Sequence, residues 1–163
     1  DLVGDDETIR EVFGLHHSAQ QYQSAYLSLL EHFPVIPHVT IGLRGGTLSG
    51  ENRVLDFLAG HPPGMLTLLV FRPTPGTVFA KASPPPIEDT VAFIHRASKA
   101  FPSAWVNLGC MRPAGVYRKT LDPLAWLAGA FTMVMPDPAL VAWLSKTGVP
   151  IEEIAECCAL HRP

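Results

Sequence analysis

The sequence carries little charge and little sulfur. Charged residues make up 17% of its 163 positions, the formal net charge is −3, and there are three cysteines. A weak negative balance argues against a surface built to bind nucleic acid or an anionic membrane. Three cysteines without a C-x-x-C spacing favour a reducing compartment over a disulfide framework, which predicts a cytoplasmic protein.

Long hydrophobic runs and several common motifs are also missing. Apolar runs such as Met65 to Phe71 are far too short to cross a bilayer. There is no H-E-x-x-H spacing and no G-x-G-x-x-G after a strand, so zinc and dinucleotide sites of the usual kind are not expected. Apolar residues account for 47% of the chain, and 16 prolines and 13 glycines stand between the apolar segments. This composition predicts one folded domain over residues 1–163.

Strand-like and helix-like segments alternate along the chain. Strands are predicted at Val35–Leu43, Met65–Phe71, Trp105–Cys110 and Phe131–Met135. Each is followed by a helical pattern, and intervals of about 25 to 40 residues are typical of βα units. An α/β fold with parallel strands is therefore predicted. A complete eight-stranded barrel takes about 250 residues, which leaves an open doubly wound sheet or half of a barrel.

Capping residues predict where the helices begin and end. The predicted helix starts are Asp5-Asp6, Ser18, Ser49 or Gly50, the Pro84–Pro86 run, Asp122-Pro123, Asp137-Pro138 and Pro150. The second helix carries an apolar stripe from Tyr22 to Leu30, and the last is predicted to run into Cys157 and Cys158.

The carboxyl end of the first strand offers one candidate site. Period-two alternation places His38, Thr40 and Gly42 on one face, and glycines at positions 42, 45 and 46 would let a ligand approach the backbone. Glu51, in the first turn of the next helix, would either receive a cationic ligand or simply complement the helix dipole.

Two further strand ends carry candidate residues. The rigid loop that contains Arg72, Pro73 and Thr74 follows the second strand, although a plain turn explains it equally well. After the third strand, Cys110 and Arg112 share parity, which predicts that both face the same side of the sheet if no bulge intervenes. A thiolate beside a guanidinium would suit a metal cluster or an anionic substrate. The alternative is that Cys110 is a small buried hydrophobe.

Taken together, these segments resemble the second half of the radical S-adenosylmethionine (radical SAM) enzymes, in the branch of biotin synthase and the archaeal-type lipoyl synthases. The resemblance rests on Leu2–Ile9, on Val35–Leu43 with Gly50-Glu51, on Phe71–Thr77 and on Asn107–Pro113. It implies a partial (β/α) barrel in which Asp1–Gly4 ends the fourth strand and the four predicted strands are strands five to eight of a TIM-like barrel.

The resemblance also implies roles for individual residues. The segment Thr40, Ile41 and Gly42, together with Glu51, would support S-adenosylmethionine, and Arg72, Pro73 and Thr74 would flank its adenine. Arg112 matches an arginine that faces the barrel interior, which implies contact with the substrate or an auxiliary cluster. His38, on the same predicted face as Thr40, is the second expected substrate contact. Cys110 has no assigned counterpart in that family, and its residue type alone makes it a candidate metal ligand.

One element of that family is absent. The C-x-x-x-C-x-x-C that holds its catalytic 4Fe–4S cluster is not in this sequence, and thiolates are the ligands of such clusters. We therefore expect the chain to be inactive alone, as the C-terminal half of a longer enzyme or as a subunit that completes a barrel with a cluster-bearing partner.

Two other readings of the sequence remain open. Half a barrel leaves open sheet edges, so a non-catalytic homodimer paired through those edges is one alternative. An unrelated α/β enzyme that uses the Cys110 thiol is the other.

Overall fold

Four parallel strands and six helices form the chain in a computed structural model, which describes residues 1–156. The elements in chain order are α1 (Asp6–Phe13), α2 (Ala19–Leu30), β1 (His38–Ile41), α3 (Glu51–Ala59), β2 (Met65–Val70), α4 (Ile87–Ala100), β3 (Trp105–Leu108), α5 (Val116–Leu127), β4 (Thr132–Met133) and α6 (Pro138–Lys146). The α/β class and the four predicted strands are confirmed.

The strands lie side by side in the order in which they occur in the chain. The order is β1-β2-β3-β4, and every neighbouring pair is parallel. The helices that follow them are also neighbours in sequence order, since α3 packs on α4, α4 on α5 and α5 on α6. Residues 1–4 run beside the outer edge of β1, where the Leu2 N–H donates to the His38 carbonyl at 2.8 Å.

The two faces of the sheet differ in composition. One face packs into the helices and supplies the strand residues of the hydrophobic core: Val39, Ile41, Leu66, Leu68, Val70, Val106 and Leu108. Because side chains alternate along a strand, the opposite face carries His38, Thr40, Thr67, Leu69 and Asn107. We call this opposite face the inner face.

Most of the predicted helix caps are confirmed. The Asp5 carboxylate accepts the Thr8 N–H at 3.0 Å, and Ser18 forms a complete capping box with Gln21. Asp137 caps α6 by accepting the Ala139 N–H at 2.9 Å, ahead of Pro138 in the first turn. These signals are local, so neighbouring residues are enough to determine them.

The cap predicted at Asp122 is wrong. Helix α5 begins six residues earlier, at Val116, and Asp122 and Pro123 lie inside it. The Asp122 carboxylate is fully buried and bound to Arg112. A carboxylate held in this way is not available to cap a helix at its own position in the chain.

The helix predicted to begin at Pro150 is also absent from the described residues. Residues 151–156 form no helix and are exposed, including Ile151 and Ile154. An amphipathic pattern gives a helix only where its apolar stripe finds a surface to pack on. Cys157 and Cys158, predicted at the end of that helix, lie outside the described residues.

Strand β1 is shorter than the predicted Val35–Leu43. It spans four residues, between Pro37, which has no N–H for a ladder bond, and Gly42 at φ 70°. The stripe predicted on α2 is only partly buried, because Tyr26 enters the core while Leu29 and Leu30 stay exposed.

Candidate functional site at the carboxyl edge of the sheet

Backbone hydrogen bonds join the loops that leave the carboxyl ends of the strands. The Phe71 N–H donates to the Ile41 carbonyl at 2.9 Å, which ties the start of the β2–α4 loop to the end of β1. The Val70 N–H donates to the Met111 carbonyl at 2.9 Å, which brings the β3–α5 loop beside β2. In parallel α/β folds, ligands bind at this edge. The predicted site segments therefore meet at one end of the sheet.

The inner face carries a polar level that crosses all four strands. His38 pairs in register with Thr67, Thr67 with Asn107, and Asn107 with Thr132. Paired residues of neighbouring strands point to the same face, and the Asn107 side-chain amide donates to the Thr67 hydroxyl at 3.3 Å. We call these four residues the polar level. The sequence prediction included only His38, because the other three become its neighbours only once the register is known.

Burial changes the protonation of His38. Its Nδ1 lies 3.1 Å from the Ile36 carbonyl oxygen, and desolvation lowers the pKa of the imidazole below its ordinary 6.5. The folded chain therefore favours a neutral ring at neutral pH.

We expect this lowered pKa to make folding sensitive to mild acid. The unfolded chain protonates His38 at about its ordinary pKa, whereas the folded chain resists protonation, so the stability falls as the pH drops below about 6.5. Thermal unfolding between pH 7.5 and 5.5 measures the slope of the stability against pH. His38→Gln should flatten this slope, and the exposed His61→Gln is the matched control. An equal slope in wild type and His38→Gln would refute this role.

The three residues at the end of β1 that were predicted to bind the cofactor, Thr40, Ile41 and Gly42, have different surroundings. Thr40 lies on the inner face one level beyond His38, and its hydroxyl forms no hydrogen bond to any other residue of the described part of the chain. The Ile41 side chain is fully buried in the helix-facing core, so only its backbone reaches the carboxyl edge. The Gly42 N–H donates to Glu51 Oε1 at 2.8 Å.

The Glu51 carboxylate organises the loop between β1 and α3. Besides the Gly42 N–H, it accepts the N–H groups of Ser49 at 2.7 Å and Gly50 at 3.0 Å on Oε2. The side chain is buried. Both oxygens are therefore engaged by backbone, and Glu51 shapes the loop in addition to facing the positive end of α3.

The glycines of that loop accommodate another part of the chain. A Cβ on Gly42 would stand 2.9 Å from Pro85 Cγ, and one on Gly46 would overlap the Ser83 carbonyl. Both have positive φ, 70° and 89°. The close approach that the sequence suggested for a ligand is thus made here by residues 79–85, which cross over the loop.

Arg72, Pro73 and Thr74 begin the long loop after β2. Arg72 and Thr74 are exposed, and the Thr74 hydroxyl donates to the Arg72 carbonyl at 3.1 Å. Within residues 1–156 the Arg72 guanidinium has no ion pair. It is a solvent-facing cation at the carboxyl edge.

Arg112 is bound entirely within the chain. Its Nε and Nη2 pair with the Asp122 carboxylate at 2.8 and 2.9 Å, and both side chains are fully buried. The remaining donors reach the carbonyls of Gly109 at 2.7 Å, Val134 at 2.9 Å and Met135 at 3.1 Å. All five N–H donors of the guanidinium therefore have acceptors, and Arg112 clamps the loop after β3 to the segment after β4. Contact with a substrate stays a prediction.

Cys110 does not share the surroundings of Arg112. It is exposed, whereas Arg112 is buried, so the alternative interpretation of Cys110 as a small buried hydrophobe is wrong. Strand β3 ends at Leu108, and strand parity does not extend into the loop beyond it. Among the described residues, no group of three or more His, Cys, Asp or Glu side chains is arranged to hold a metal ion.

The chain matches no protein-family model and no curated protein. In the described part of the chain, the helices are too short or too polar to cross a bilayer.

Proposed function

We propose that this chain is one half of a (β/α) barrel of the radical SAM type, equivalent to strands five to eight, and that it contributes part of an S-adenosylmethionine pocket and part of a substrate pocket. The proposal rests on the resemblance of its strand-end segments to that family and on the arrangement of the sheet.

The unbroken strand order carries the proposal. A doubly wound sheet reverses its strand order at a switch point, and its ligand sits there. The order β1-β2-β3-β4 has no reversal, and the helices after the strands pack in the same succession. This is the arrangement of consecutive βα units in a barrel wall. In such a wall the inner face, with its polar level, lines the interior.

Thr40 and Arg72 fit a role in binding S-adenosylmethionine. The Thr40 hydroxyl lies on the inner face without a hydrogen bond to a described residue, and Arg72 is a cation without an ion pair in residues 1–156. A hydroxyl can bond the ribose or the amino-acid groups of this cofactor, and a guanidinium can stack on its adenine. Glu51 would act indirectly, by holding the backbone of Gly42 in place. Beside a reduced cluster, S-adenosylmethionine held by these residues would supply hydrogen-abstraction chemistry, which in some members of that family leads to sulfur insertion.

The 4Fe–4S cluster does not fit this chain's own residues. Cys110 is a single exposed thiol, and the described residues offer no companion ligands near it. A cluster of this type needs several thiolates. The cluster would therefore be held by the N-terminal half of the barrel or by a cluster-bearing subunit, and the chain alone would be inactive.

A titration followed by amide NMR tests the cofactor role. Adding S-adenosylmethionine to the labelled chain should shift the signals of residues 40–42 and 72–74 saturably. Thr40→Val should weaken binding by about tenfold if the hydroxyl bonds the ligand, whereas Thr47→Val, at an exposed position in the loop after β1, should not. Saturable shifts elsewhere only, or none up to millimolar ligand, would contradict the proposal.

A non-catalytic homodimer of half barrels is the second candidate. Strand β4 has only two residues, and large apolar side chains beside it are exposed, with Leu127 67%, Phe131 74% and Trp143 47% accessible. Unpaired edges next to apolar surface are typical of interfaces. A two-fold axis along the barrel axis would set β4 of one copy beside residues 1–4 of the other, which run along the outer edge of β1. Light scattering would then give twice the 17.7 kDa mass, and a monomer would exclude this candidate.

A further inference from the structure

Two arginines near the end of β3 differ in how their donors are used. Arg112 has an acceptor for each of its five N–H groups, including both oxygens of Asp122. Arg118, six residues later, makes one hydrogen bond to a described residue, from Nη2 to the Arg112 carbonyl at 3.3 Å. Its Nε is buried and has no acceptor among the described residues.

The position of Arg118 directs it toward the carboxyl edge of the sheet. It belongs to the stripe of α5 that includes the buried residues Leu121, Asp122 and Ala125, three to seven positions further along the helix. Long side chains on a helix lean toward its N-terminus, and the N-terminus of α5 follows the loop from Gly109 to Gly115. The contact with the Arg112 carbonyl places the guanidinium against that loop.

The carboxylate that would ordinarily neutralise Arg118 is already occupied. Asp122 lies four residues further along the helix, the spacing of a helical ion pair. Its Oδ1 accepts Arg112 Nε, and its Oδ2 accepts Arg112 Nη2 and the Asp137 N–H at 2.9 Å. Arg118 forms no ion pair with any residue from 1 to 156. Its positive charge is therefore left without a counter-charge in a partly buried place.

A buried donor without an acceptor calls for an explanation, since such groups are rare and destabilising. We propose that Arg118 is an anion-binding residue, which receives the carboxylate or phosphate group of a small-molecule ligand at the loop after β3. The fork of Nε and Nη2 suits the two oxygens of either group. This inference rests on the proposed function and deepens it, because it gives the substrate an anionic group and names its receptor.

The test uses the full chain and the NMR signals of arginine Nε–H groups. Inorganic phosphate and acetate are titrated separately, each against sodium chloride at equal ionic strength. The Arg118 Nε–H signal should shift saturably with one of the two anions, while that of Arg112 stays fixed. Saturation by phosphate indicates a phosphorylated ligand, and saturation by acetate indicates a carboxylate.

Variants separate a specific contact from general charge. Arg118→Gln should lower the affinity by about tenfold or more, because it removes a charge-assisted bond. Lys119→Gln, an exposed cation one residue away, should change the affinity by less than about twofold. Arg118→Lys keeps the charge but lacks the paired Nε and Nη2 donors, so its anion affinity should lie between those of Arg118→Gln and Lys119→Gln. Amide spectra that match wild type outside residues 109–119 establish that each variant is folded.

Two results would overturn the inference. One is a shift of Arg118 that chloride reproduces at equal ionic strength, and the other is unchanged affinity in Arg118→Gln. The S-adenosylmethionine titration reports on residues 40–42 and 72–74 instead. Failure of anion binding at Arg118 is thereby distinguished from failure of the proposed cofactor site.

Discussion

Replacing Asp122 with asparagine is expected to destabilise the fold by about 3–5 kcal/mol, because it leaves Arg112 as an uncompensated buried charge. Both side chains are fully buried, and together they join the loop after β3 to the segment after β4. Urea unfolding measures the loss. Asp56→Asn removes the acidic partner of the exposed Arg96 pair and should change the stability by less than about 1 kcal/mol.

A double variant separates the ion pair from simple packing. Arg112→Met with Asp122→Leu removes both charges together, and we expect it to be more stable than Asp122→Asn, since no buried charge remains. If Asp122→Asn destabilises the fold no more than Asp56→Asn does, the buried ion pair of Arg112 and Asp122 does not stabilise the fold as we expect.

Replacing Glu51 with alanine is expected to destabilise the fold by about 3 kcal/mol, because three backbone N–H groups lose their acceptor. Two of the three, those of Gly42 and Gly50, are bonded in buried positions. Glu51→Gln keeps one carbonyl oxygen as an acceptor and should therefore destabilise the fold less than Glu51→Ala.

Glu51→Ala should also lower the affinity for S-adenosylmethionine, because the loop after β1 would lose the carboxylate that holds its backbone. Urea unfolding and the S-adenosylmethionine titration measure the two effects. Glu88→Ala is the matched control, an exposed glutamate in the first turn of α4. Equal unfolding midpoints for Glu51→Ala and Glu88→Ala would show that Glu51 acts only on the helix dipole.

Local patterns were sufficient to predict the four strands and most of the helix starts. The apolar run at Met65–Val70 becomes a strand buried along its whole length, and the cap at Ser18 closes with its own neighbour, Gln21. Both features depend on residues that are close in the chain. The prediction at Asp122 was wrong because its true partner is Arg112, and that pairing exists only in the folded chain.

In the candidate site, too, contacts between residues distant in the chain could not be predicted from local patterns. His38 and Thr40 were assigned to one face by alternation alone, whereas Thr67, Asn107 and Thr132 joined them only through the strand register. Arg112 and Arg118 are indistinguishable as residue types. They differ because Asp122 pairs with Arg112, whereas the Nε of Arg118 has no acceptor among residues 1–156, and both facts are consequences of packing.

The central claim is that this chain forms part of a radical SAM enzyme, and formation of 5′-deoxyadenosine from S-adenosylmethionine tests it most directly. The protein is translated from its gene's own start codon, reconstituted anaerobically with iron and sulfide, and reduced. We expect a brown protein that forms 5′-deoxyadenosine and methionine, with a lower yield in Thr40→Val. A protein that forms no 5′-deoxyadenosine and, at 17.7 kDa, does not bind S-adenosylmethionine would contradict the claim.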